Sequence, residues 1–362
     1  MENARISLFQ LFTLLVFFIV GTTVMFPLAS DAKQAAWVAV LFAMLGGIAL
    51  FELYQYLYRQ YPDLLFADYT KRILGKYVGT IIGISYTVFF LYGAARDVRD
   101  GMELLSLKFS ETPITFLGGL LILVIMYGLY MGIEVISRCS EILFVILLGM
   151  GILFAVFVFV SGIVKLENLL PILEPGWKTI ISTAMKESWM APFGEVVCFT
   201  AIFPYLNRAN GQLRVGLGGV IAGGLFLAFA HALTIAVIGS RARDNAISPL
   251  LKMVQQVNVG DFIQRLDSFF MIWLIINDFF KITIFMYAAV MCGTTLLKIS
   301  KNVLILPMGA VVLCTSIFFA DSYAAHMEQS DFVLKNIYPI FGAYIPVLLC
   351  VVLYIRRKFG EY

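Results

Sequence analysis

Along the whole chain, long apolar runs alternate with short clusters of charge. The runs predict helices at roughly 7–29, 35–58, 77–95, 114–133, 140–164, 180–206, 213–239, 266–297, 302–320 and 337–355, segments 1 to 10 below. At about 1.5 Å of rise per residue, each can cross a hydrocarbon core of roughly 30 Å. Lipid offers no partner to backbone N–H and C=O groups, so each run is expected to be helical. The pattern predicts an all-α membrane protein, one transmembrane domain over 1–362 with ten spans.

Three connections are longer than turns. Residues 59–76 place Leu64, Leu65, Tyr69 and Ile73 at helical spacing, which predicts a short amphipathic helix. Residues 165–179 are broken by Pro171 and Pro175. Residues 240–265 contain SPLLKMVQQV, a second amphipathic helix expected to lie on the membrane surface or cap a vestibule. Lysine and arginine crowd the short even-numbered connections and the C-terminus, at Arg59, Lys71, Arg72, Lys76, Arg138, Arg208 and Arg356–Lys358. Short, helix-flanking basic residues mark the cytoplasmic side, so both termini are expected there.

Composition agrees with this picture. Only 14% of residues are charged and 61% are hydrophobic, against roughly 25% charged in soluble domains. The five cysteines lie in or beside apolar segments without a CxxC pair, so isolated thiols are expected rather than a metal site. His231 and His326 have no metal-ligand spacing. No basic tract with interleaved aromatics suggests nucleic acid, and no nucleophile–base pair or phosphate loop suggests an enzyme. No cofactor is expected. No small-residue cleavage site follows the first apolar run, so segment 1 is expected to stay in the mature protein.

Two segments look interrupted. Segment 1 carries Gly21-Thr22-Thr23 in mid-span and Pro27 a turn later; segment 6 carries Pro192, Gly194 and then Glu195. Proline removes a backbone donor and glycine weakens helix preference. Taken singly these are ordinary kinks. Segments 1 and 6, however, hold matching positions in two five-helix halves, about 7–164 and 180–355. Matching breaks point to an inverted repeat with a ligand site at the midplane. Unwound backbone there exposes helix-end dipoles and N–H groups to a ligand.

Four ionisable residues fall within predicted spans: Glu52, Glu195, Asp278 and Lys281. Each costs about 2.5–3.5 kcal/mol at a helix centre, so each needs a partner or a wet cavity. Asp278 and Lys281, three apart, share a helix face and are expected to form an intramembrane charge pair. Glu52 sits near a helix end and can reach the interface. Glu195 follows the break directly; it can hold a ligand ammonium, pair with Lys281, exchange a proton, or simply bond a neighbouring helix. Tyr86, Phe89, Phe90 and Tyr92 on segment 3 and Tyr287 on segment 8 are candidate cavity walls, although aromatic stripes more often pack.

The chain also resembles the B subunits of bacterial spore nutrient germinant receptors, the endospore germination permeases of the amino acid–polyamine–organocation superfamily. The resemblance rests on YPDLLFADYTKRILGKYVGTIIG at 61–83, LENLLPILEPGW at 166–177, PFGEVVCFTAIFPYL at 192–206 and RLDSFFMIWLIINDFFKITIFMYAA at 265–289. It implies a LeuT-like five-plus-five fold with segments 1 and 6 broken around a small-molecule site. By position, Gly21 and Thr22 match the first break, with Thr23 beside them a further candidate for the ligand site, and Phe89 and Gly93 match the segment 3 wall. Phe193, Gly194 and Glu195 match the segment 6 motif, and Lys281 and Tyr287 the segment 8 face. The resemblance further implies germinant sensing (amino acid, sugar or nucleoside) in the spore inner membrane, beside an A subunit and a lipoprotein C subunit. Proton-using relatives can carry a lysine on segment 5, which has none in its apolar span here. A proton-coupled amino-acid transporter and a pure scaffold are the competing readings.

Overall fold

The computed structural model describes residues 4–207, 211–258, 266–320 and 322–359; Arg208 and Arg265 lie outside them. Among the described residues, nine helices are long and apolar enough to cross a membrane. The tenth crossing, segment 6, is made of short pieces: an α-helix Gly176–Thr183, a π-helix Ala184–Phe193 and 3₁₀ turns Gly194–Ala201 and Phe203–Tyr205.

Segment 1 begins at a capping box. Ser7 Oγ accepts from the Gln10 N–H at 3.1 Å, and Gln10 Oε1 accepts from the Ser7 N–H at 3.0 Å. Two otherwise orphaned donors are satisfied there. The α-helix Leu8–Val20 stops at Gly21 and resumes as the 3₁₀ turn Thr22–Met25. It packs closely on segment 7 (Gln212–Ile238) through Gly219 and Gly223, where an added Cβ would lie 2.9 Å from Leu15 Cβ and 2.8 Å from Ile19 Cγ2. Small residues four apart let helix backbones approach where lipid supplies no hydrophobic drive.

Segments 3 (Lys76–Ser106) and 8 (Asp267–Leu297) are the two 31-residue helices and run side by side through the centre. Segment 3 is longer than its apolar run, which predicts an end near residue 95. The additional turns carry Arg96, Asp97, Arg99 and Asp100, and Asp97 and Asp100 are only 2% exposed. These charges are helical and buried rather than in a loop.

Opposite the termini, three elements gather on one face. The helix Pro249–Val254 is buried through Leu250, Leu251, Met253 and Val254, and so packs into the fold instead of lying on its surface. The turn Ser240–Asp244 buries Arg243 completely; its guanidinium donates to the Leu28 carbonyl and pairs with Asp244 at 3.1 Å. Burial lowers the Arg243 pKa to about 10, with Asp244 opposing, so the group is still charged at neutral pH and needs both partners. The third element is a helix, Tyr323–Asn336, preceding segment 10. On the other face the amphipathic connection forms the helix Phe66–Leu74, with Tyr69 and Ile73 buried and Leu64 just before its start.

Segment 10 opens with a π-turn, Ile340–Tyr344, before the α-helix Ile345–Lys358. A widened turn leaves carbonyls free, and two buried tyrosines satisfy them: Tyr86 Oη donates to Phe341 O at 2.6 Å and Tyr54 Oη to Gly342 O at 2.5 Å. Glu52 is exposed on the outside of segment 2.

Candidate functional site

Lys281, 1% exposed, occupies the centre of the bundle. Its side chain runs across Gly21, where a Cβ would stand 2.6 Å from Lys281 Cδ and 2.8 Å from its Cβ. The glycine at the break is therefore required by the lysine stem. The ammonium donates to Thr22 Oγ1 at 3.1 Å and Thr23 Oγ1 at 3.2 Å, and sits 2.8 Å from Glu195 Oε2. Asp97 is 3.7 Å away and accepts from Thr22 Oγ1 at 2.9 Å. Two breaks and two long helices thus meet at one ammonium held by two hydroxyls and two carboxylates.

The segment 6 break arises locally. Ala191 leaves helical geometry (φ −111°, ψ 114°) immediately before Pro192, because a residue preceding proline is steered out of the α region. The chain then re-forms as the 3₁₀ turn from Gly194, which aims Glu195 at Lys281. Gly194 itself offers its carbonyl to Tyr54 Oη at 3.1 Å.

The expected pair of Asp278 with Lys281 is not formed. Lys281 turns toward the hydroxyls of Thr22 and Thr23 on segment 1 and the carboxylates of Glu195 on segment 6 and Asp97 on segment 3. Asp278 faces segment 3, fully buried, with no hydrogen-bond partner for either oxygen among the described residues. A Cβ at Gly101 would lie 2.5 Å from its Oδ2. Sharing a helix face brings two residues near one another; reach and partners decide where a long side chain ends.

A vestibule of about 340 Å³ leads from the face opposite the termini down to Thr22, Thr23 and Lys281. Its walls are the stretch Phe26–Asp31, Arg96 and Asp100 of segment 3, Glu187 and Ala191 of segment 6, and Ser330, Asp331 and Lys335 of the helix Tyr323–Asn336. That helix is tied to segment 3 by His326 Nε2, 2.9 Å from Asp100 Oδ1. An ammonium has three donors. Those of Lys281 have Thr22, Thr23 and Glu195 within reach, so it closes the floor. Arg96 differs: its guanidinium lies over the Tyr338 ring, its Nε and Nη1 are buried with no hydrogen-bond partner among the described residues, and the residue lines the vestibule.

Of the ten ligand-site candidates, Thr22, Thr23 and Lys281 line this vestibule, while Gly21 and Glu195 stand directly behind them. The other five pack away from it. Phe89 stacks on Phe341 at 4.5 Å, Gly93 lies under the Phe285 ring, and Phe193 rests on Gly47. Gly194 backs onto Gly342, and Tyr287 neighbours Tyr205 at 6.3 Å. Sequence reasoning missed Arg96, Asp97 and Asp100. The signal was legible: AARDVRDGMELL keeps Val98, Met102 and Leu105 at helical spacing, with paired opposite charges between them and no proline before Pro113.

Fold and site together describe a multi-pass membrane protein of the LeuT-type transporter fold. The closed form of Mhp1, a nucleobase-cation-symport-1 family transporter with bromovinylhydantoin bound, superposes with a TM-score of 0.71 at 13% identity, covering 94% of this chain and 78% of that one. MhsT in complex with L-phenylalanine gives 0.71 at 13% identity, covering 94% and 88%. At such identity the likeness is one of fold. The family is given by sequence: the spore germination protein family model matches residues 5–324. Spore germination protein KB of Bacillus subtilis (strain 168) is 35% identical, over 100% of this chain and 98% of that protein. Spore germination protein A2 of the same organism is 24% identical over 83% of this chain and 80% of that one. The chain belongs to the spore germination protein family.

Proposed function

We propose that this chain is the membrane subunit through which a bacterial spore senses a small nutrient bound at the floor of the vestibule. The observation that carries the reading is Arg96, which lines a cavity ending at the segment 1 break and has two buried guanidinium N–H groups with no hydrogen-bond partner among the described residues. A guanidinium fork takes a carboxylate in two-point fashion, and Asp100, Glu187 and Asp331 offer places for an ammonium or hydroxyls. An amino acid suits this mixture best among amino acids, sugars and nucleosides.

Gly21, Thr22, Thr23, Glu195 and Lys281 then report occupancy to the two broken segments. Phe89, Gly93, Phe193, Gly194 and Tyr287 set the packing against which those segments move. Two five-helix halves, about 7–164 and 180–355, rock about the site. The ligand shifts that equilibrium only by its differential affinity for the two states. In this reading the protein lies in the spore inner membrane with both termini cytoplasmic, and an A subunit and a lipoprotein C subunit receive the signal.

The ammonium set between Glu195 and Asp97 favours one second reading, a proton-coupled amino-acid transporter. Spores carrying this receptor as their only one, challenged with candidate nutrients, test the first: Arg96→Gln is expected to raise the effective nutrient concentration at least tenfold. Unchanged potency would refute it. Concentrative uptake by the purified chain in proteoliposomes under a pH gradient would establish the second reading instead.

A further inference from the structure

A lateral groove of about 610 Å³ runs between segments 3, 4, 5 and 8, with a lining that shares no residue with the vestibule. Its walls are apolar apart from Thr112, and Phe109, Phe116, Leu120 and Val124 stand half-exposed along it. A second recess of about 460 Å³ adjoins it, with Lys108, Ser248, Lys252, Gln255 and Asp267 in its walls. The same helices build both. Segment 3 gives Leu105 to the groove, and the turn after it gives Phe109 to the groove and Lys108 to the recess; segment 8 gives Ile275 and Phe279 to the groove and Asp267 and Met271 to the recess. The polar recess therefore lies at the helix ends, on the vestibule side, and the groove descends from it toward the midplane.

We propose that the pair is a phospholipid site, with an acyl chain in the groove and an anionic headgroup in the recess. Length argues for one lipid. The segment 4 helix, Ile114–Met131, lines it from Phe116 to Val124, about 12 Å at the helical rise and less than half of the roughly 30 Å core. A partner's transmembrane helix needs the full thickness, but the groove stops there, short of exposed Tyr127, Tyr130 and Met131. Charge argues for an anionic headgroup. Lys108 is paired with Asp267 at 2.9 Å, whereas exposed Lys252 forms no ion pair among the described residues, so the recess carries an uncompensated cation. Lys252 also sits on the helix Pro249–Val254, which packs against the turn Thr22–Met25. The bound headgroup thus lies one element away from the segment 1 break.

Native mass spectrometry of the full chain, purified with phosphatidylglycerol and phosphatidylcholine, tests this. Wild type is expected to retain phosphatidylglycerol preferentially. Lys252→Gln, a surface change that leaves folding intact, is expected to reduce that preference about fivefold, as loss of one interfacial lysine predicts. Leu120→Trp, which fills the groove, is expected to abolish retention of both lipids, with a melting curve checking that the variant is folded. Equal retention of both lipids by wild type, or an unchanged preference in Lys252→Gln, overturns the proposal. So does a photocrosslinker at position 120 that captures a protein rather than lipid.

Discussion

Replacing Lys281 by Met keeps a stem of similar length over Gly21 and removes only the charge. What remains is Glu195 and Asp97, each no more than 2% exposed, facing one another without a cation. At an effective dielectric of about 20, the attraction from the ammonium is about 6 kcal/mol at the 2.8 Å of Glu195 and about 4.5 kcal/mol at the 3.7 Å of Asp97, before desolvation is subtracted. Glu195 is thus the stronger partner. Removing one member of a buried pair costs about 3–5 kcal/mol, because the other is left charged and dry. Lys281→Met should destabilise by that amount. Glu195→Gln should cost less, since Asp97 still answers the ammonium. The double variant Lys281→Met with Glu195→Gln should recover part of the loss, because only Asp97 is left, still held by Thr22 at 2.9 Å. Denaturant or thermal unfolding in lipid nanodiscs, with all four proteins, measures the coupling. Strictly additive losses would show that the lysine and the glutamate act independently and would refute the cluster as described.

Other consequences follow from the same geometry. Gly21→Ala drives a methyl to 2.6 Å from the Lys281 stem, so a loss of about 1–3 kcal/mol is expected; Lys281→Ala removes the Cδ and Cγ contacts but keeps the Cβ 2.8 Å away, so in melting curves the double variant should recover only part of the clash. Gly79→Ala meets the Lys71 backbone at 2.4 Å, which no side-chain rotation relieves, and a lowered melting temperature with loosened Phe66–Leu74 should be seen by hydrogen exchange. Arg96→Lys keeps charge but loses the fork, so nutrient potency should fall while thermal stability stays within about 1 kcal/mol of wild type. His326→Ala unties Tyr323–Asn336 from Asp100, and amide exchange in that helix should accelerate with the rest of the bundle unchanged.

How much was legible in the chain differs from element to element. The membrane crossings were readable because lipid imposes one rule on every backbone group, and a run of apolar residues near twenty long satisfies it alone. The breaks at Gly21 and Pro192 were readable because proline and glycine act on their own turn. Glu195 and Lys281 stood out because a charge in an apolar run is expensive wherever it goes. Segment 3 shows where such reading ends: Arg96, Asp97 and Asp100 look like loop residues to a hydropathy criterion, and only the surrounding helices enclose them and give Asp97 and Asp100 their partners.

The partners themselves belonged to the tertiary structure. Local spacing put Asp278 beside Lys281, yet the lysine joins Glu195, 86 positions earlier in the chain, and Thr22, 259 positions away. Helical periodicity is set by the backbone within a few residues, so the order of residues alone dictates which segments cross the membrane and where two of them break. Which buried charges meet depends on how whole helices pack, through contacts such as Gly21 under the lysine stem and Gly101 against Asp278. That packing set the Lys281 ammonium into the floor of the vestibule and laid the Arg96 guanidinium of its wall over the Tyr338 ring.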